Sequence, residues 1–106
     1  MANYFLKLDH FEGPLDLLLH LIRVNEIDVF NIDIYLLTTK YLEHLRLMDF
    51  RDLAEAGEFL EIAAALIEIK SKMLLPNEKR NEDGEDDDDD PRRSLQERLI
   101  EYERIK

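Results

Sequence analysis

Cysteine is absent from this 106-residue chain, and glycine and proline are down to three each. Without cysteine there is neither a disulfide framework nor a thiolate metal site, and a reducing compartment is allowed. Gly13, Gly57 and Gly84 are too dispersed to form a phosphate-cradling loop, and no HExxH, CxxC or P-loop string occurs. His10, His20 and His44 are scattered as well; Asp16 and His20, four residues apart, form a surface helix pair more simply than an acid–base or ligand pair. Long apolar runs are also missing, since charge interrupts each one before the ~20 residues that a membrane span requires. No basic stretch leads into an apolar N-terminal segment. The expectation is a soluble, cytosolic protein that is not an enzyme and carries no cofactor or metal.

What is abundant is acid. The chain holds 25 Asp and Glu against 14 Lys and Arg, a net charge of −11. That sign argues against direct capture of a phosphate backbone, which calls for clustered cations, so any service to DNA would be indirect. The run from Glu82 to Asp90 repels itself and has nothing apolar to bury, which predicts a flexible linker over residues 77–93. It lacks the spaced ligands, central glycine and closing glutamate of an EF-hand. Lys70, Lys72, Lys79 and Arg80 make a small basic patch, which dipole complementation and solubility explain better than nucleic-acid binding.

The remaining pattern is helical. Tyr4 to Leu8 alternates and predicts a short extended arm. Gly13 and Pro14 start a first helix that runs to about Val24, because proline suits the first helical position, and Asp16 complements the positive end of the dipole. Leu15, Leu18, Leu19 and Ile22 make one apolar stripe of that helix and Leu17, Leu21 and Val24 another, so it must be covered from two directions. Asn31 or Asp33 caps a second helix reaching about Leu47, amphipathic through Ile34, Leu37, Tyr41, Leu45 and Met48.

A third helix is much longer. Asp52 and Glu55 make a start resembling a capping box, and no proline intervenes before Pro76, giving about 23 residues or ~35 Å. Leu53, Ala56, Leu60, Ala63, Ala64, Ile67 and Leu74 fall on one stripe; Phe59, Ile62, Leu66, Ile69 and Met73 fall on a second. Together they span about twice the ~100° that one packing contact needs. Either the first two helices bury both stripes, or one stripe is left for a partner helix. Periodicity does not say which stripe faces inward, and Gly57 in mid-helix implies a close backbone approach. Finally, Ser94 and Glu97 read as a capping box for a helix carrying Leu95, Leu99, Ile100, Tyr102 and Ile105. That segment meets no stop signal before Lys106, so the chain is expected to be a fragment. About a dozen residues make a marginal helix in water, so residues 94–106 are expected to order on a partner.

Phe11-Glu12-Gly13-Pro14-Leu15-Asp16-Leu17-Leu18-Leu19, preceded by the short apolar stretch Tyr4 to Leu8, resembles the opening signature of the bacterial and archaeal kleisins of the segregation and condensation protein A family. Lys40 to Leu45, Phe59 to Pro76, the acidic linker and Leu95 to Tyr102 resemble the same family in order and spacing. Phe11, Gly13, Pro14, Leu15, Asp16 and Leu18 would carry the signature in a mainly structural role. The resemblance implies an all-α N-terminal domain over residues 1–76 that docks on the head-proximal coiled coil, or neck, of an SMC protein. It also implies a segment after the linker that binds a ScpB dimer, in a condensin-like complex associated with the nucleoid. A C-terminal winged-helix domain, absent here, would bind the other SMC head. The first choice for the neck contact is Phe59, Ile62, Leu66, Ile69 and Met73, and for ScpB it is Leu95, Leu99 and Tyr102. No membrane or small-molecule substrate is implied. The alternative is a self-associating helical module.

Overall fold

Gly13 and Pro14 do set the first helix, α1 (Pro14–Val24), and no side chain caps it. Instead the Asp16 carboxylate, buried in the first turn, reaches back to accept the Glu12 N–H at 3.2 Å. It is therefore a structural acid rather than a surface one. At the other end Ile27 N–H donates to the Ile22 carbonyl and Glu26 N–H to the Arg23 carbonyl, a Schellman pair that needs a left-handed residue between helix and turn. Glu26 takes that conformation, at φ 56°, where glycine is usual.

Asp33 caps the second helix, α2 (Ile34–Leu47), accepting the Leu36 N–H. Asp52 caps the third, α3 (Leu53–Leu74), accepting the Glu55 N–H at 2.9 Å. The Glu55 carboxylate returns to the N–H of Arg51 at 2.7 Å, one residue further out than a strict capping box. The last helix, α4 (Arg93–Ile105), begins one residue before Ser94, which lies inside it. The true start is a turn at Asp90-Pro91-Arg92, where the Asp90 carboxylate accepts the Arg92 N–H, and Glu97 pairs sideways with Arg93.

The computed structural model describes residues 11–74 and 90–105, and all regular structure among them is α-helix. The expected arm at residues 4–8 and the acidic run as far as Asp89 lie outside the described residues. The bundle is organised around α1 rather than around the long α3. Leu17, Leu18, Leu19, Leu21 and Ile22 are all buried, and α1 packs against α2, α3 and α4 in turn. The most apolar helix takes the centre because it has no face suited to water. The longest pairing is α2 on α3. It is fixed by the fully buried Tyr41, whose hydroxyl donates to the Phe59 carbonyl at 2.8 Å, and burial holds that phenol protonated far above its ordinary range.

Candidate partner-docking faces

The two stripes of α3 differ in burial, and the stripe expected to meet the SMC neck is the more buried one. Phe59, Ile62, Leu66 and Ile69 are buried, and Met73 packs partly buried against the same core. They face α1 and α2 because those two helices need an apolar cover, and Phe59 also meets the Phe50 ring at 5.4 Å. These five residues form the inner face of α3, with Met73 alone partly open at its end.

The outward lane is the other stripe. Leu53, Leu60, Ile67 and Leu74 are 88, 58, 47 and 67 % exposed. They recur every seven residues, and the exposed Gly57, Ala64 and Ser71 follow each of the first three by four. Large apolar side chains alternating with small ones along one line are what a helix presents to a neighbouring coiled coil: knobs separated by room for the partner's knobs. A Cβ built on Gly57 would meet nothing within 4 Å. The close approach that a mid-helix glycine implies is therefore not made among the described residues. Glu61 and Glu68 border the lane, with Lys72 pairing Glu68 at 3.4 Å.

A second face belongs to α4, and here it is occupied. Leu95 is 3 % exposed and Leu99 fully buried, packed on α1. Tyr102, half-buried, donates its hydroxyl to Glu12 at 3.2 Å, and Arg23 meets Glu103 at 3.6 Å. Arg92 anchors the helix start: one nitrogen donates to the Asn31 side chain and the Ile32 carbonyl at 2.8 and 2.9 Å, while the rest of the guanidinium forks onto Asp90. The three residues expected to bind ScpB thus lie together, but against the domain's own first helix. Arg92 was not singled out from sequence. The signal that could have found it is Asp-Pro-Arg directly before an amphipathic segment, hidden at the end of five consecutive aspartates.

The signature residues lie at the start of α1, the end that Tyr102 also reaches. Phe11 packs between the His20 ring at 5.2 Å and the His44 ring at 5.5 Å, which ties the segment before α1 to α2. Desolvation, helped by the charges of His44 and Arg23 and opposed by Asp16, lowers the His20 pKa below its ordinary 6.5. Among the described residues no group of three His, Asp or Glu side chains is placed to hold a metal ion. A cleft of about 250 Å³ between the start of α1, α3 and α4 is bordered by Glu12, Glu58, Glu61 and Arg98. Another, of about 300 Å³, lies under the exposed Phe30 beside α1.

Comparison with known proteins turns this geometry into a lineage. The family model described as segregation and condensation protein ScpA matches residues 21–106. Proteins named segregation and condensation protein A from Bacillus cytotoxicus, Bacillus cereus and Bacillus anthracis are each 50 % identical over 106 residues, covering 98 % of this chain. The chain spans 43 % of the length of those relatives.

Proposed function

Because the chain belongs to the segregation and condensation protein A family, we propose that it is the N-terminal portion of a non-enzymatic kleisin subunit in chromosome segregation and condensation. Its α3 lays the lane Leu53, Leu60, Ile67 and Leu74 along the head-proximal coiled coil of an SMC protein, and its α4 segment binds a ScpB dimer. The observation that carries the first contact is the outward lane itself. Four large apolar side chains at heptad spacing stay in water over about 30 Å of helix, beside a glycine that no neighbour among the described residues requires. Burial of such a line by a two-stranded coiled coil would produce a small helical bundle.

DNA enters only through the assembled complex, in keeping with the net charge of −11. The complex would act in the cytoplasm, at the nucleoid.

Binding to a purified SMC head with its neck tests this. Leu60→Glu combined with Ile67→Glu places two charges in the proposed interface and none in the core. Capture should fall at least a hundredfold, with the helical circular dichroism of the free chain unchanged. Wild-type affinity in that double variant would refute the docking face. The same lane also suits a second copy of this chain. A concentration-dependent dimer in sedimentation, abolished by the same substitutions, would favour the self-associating module.

A further inference from the structure

An α-helix of 13 residues with two buried leucines is marginal alone in water, so α4 is folded because something covers its stripe. In the free chain that cover is α1. Leu95 and Leu99 cannot be buried against α1 and against a second protein at once. Resting on the reading that this segment binds a ScpB dimer, we infer that α4 is a latch: docked on α1 it withholds Leu95 and Leu99, and ScpB binds only the released helix.

Three observations give the latch its construction. The Arg92 guanidinium bridges the start of α4 to the turn before α2 through Asn31 and the Ile32 carbonyl, contacts 61 and 60 residues distant in sequence. The hydroxyl of Tyr102 holds the far end to Glu12. Apart from α1, no helix packs on α4 among the described residues, so it can leave without dismantling the α1–α2–α3 core. Release therefore acts as a tax on partner affinity. If the open form is a few per cent of the population, the apparent dissociation constant rises by the inverse of that fraction, roughly tenfold to a hundredfold.

Absence of native cysteine makes a direct test possible. Arg23 and Glu103 form a solvent-exposed pair across the contact, their side-chain ends 3.6 Å apart, so Arg23→Cys with Glu103→Cys gives two thiols that a short bis-maleimide with a disulfide in its spacer can span and a reductant can release. Bridged in this way, the chain should bind purified ScpB at least tenfold more weakly than after the spacer disulfide is reduced. Arg92→Ala should shift affinity the other way, tightening it severalfold. A partner-free measurement accompanies both: the Leu95 and Leu99 amides should be protected from hydrogen exchange in the wild-type chain and lose protection in Arg92→Ala, while α1 to α3 keep theirs. Equal ScpB affinity in bridged and reduced chains, or unprotected α4 amides, overturns the latch. Protected amides with no ScpB binding in either redox state instead overturn the assignment of ScpB, leaving α4 as a fixed fourth helix.

Discussion

Gly57 gives opposite signs in two assays. Its place inside α3, one turn from the helix start, costs the free chain about 1 kcal/mol of helix propensity relative to alanine, and nothing among the described residues lies within 4 Å of where a Cβ would stand. Gly57→Ala should therefore raise the unfolding free energy of the isolated chain by about 1 kcal/mol in urea melts. In the SMC-neck binding assay the same methyl would meet an approaching helix, and affinity should drop about tenfold. A variant that gains stability and keeps its affinity would leave the glycine without a role in docking. His20 makes a different residue-scale prediction. Its folded pKa lies below 6.5, so the fold prefers the neutral ring, and the unfolded chain takes up the proton first as pH falls. The stability contributed by this site is full above pH 6.5 and is lost progressively on acidification through that value toward the lower folded pKa. Thermal melts between pH 7.5 and about 5 should show a decline that is shallower in His20→Gln, and an identical slope in both proteins would remove His20 from the account.

At the scale of elements, the two faces of α3 differ in what a charge does to them. Ile69 is buried and Met73 partly so, against the same core as Leu66 and Phe59. A carboxylate at each would be desolvated with no partner among those apolar neighbours. Ile69→Glu combined with Met73→Glu should unfold the chain at room temperature, seen as loss of helical circular dichroism, in contrast to the exposed Leu60 and Ile67 pair. A folded double variant would mean that the inner face is less committed to the core than its burial implies. Element lengths were legible in advance. Proline at the start of α1 and aspartate at 52 are capping signals that act within one turn, and the structure settles the second helix on Asp33 where the sequence offered Asn31 as well. The start of α4 was not legible in the same way. Ser94 and Glu97 imitate a capping box, but the Asp90 turn and the Arg92 clamp precede them, and a contact with Asn31 leaves no periodic trace.

For the molecule as a whole, composition and pattern were enough to exclude a disulfide scaffold, to call an all-α bundle, and to place the chain in its family through Phe11 to Leu19. These are local or additive properties: caps, helical periods and a contiguous string are written in neighbouring residues. The surplus of apolar surface on α3 was also visible, because two stripes exceed what one contact can cover. Which stripe is surplus was not visible. That depends on how α1 and α2 are rotated against α3, and the rotation is set by long-range contacts such as Tyr41 to the Phe59 carbonyl. The central place of α1 and the closure of α4 upon it are decisions of the same kind. An apolar stripe states that it must be buried, and only the folded arrangement, by bringing distant helices together, determines what buries it.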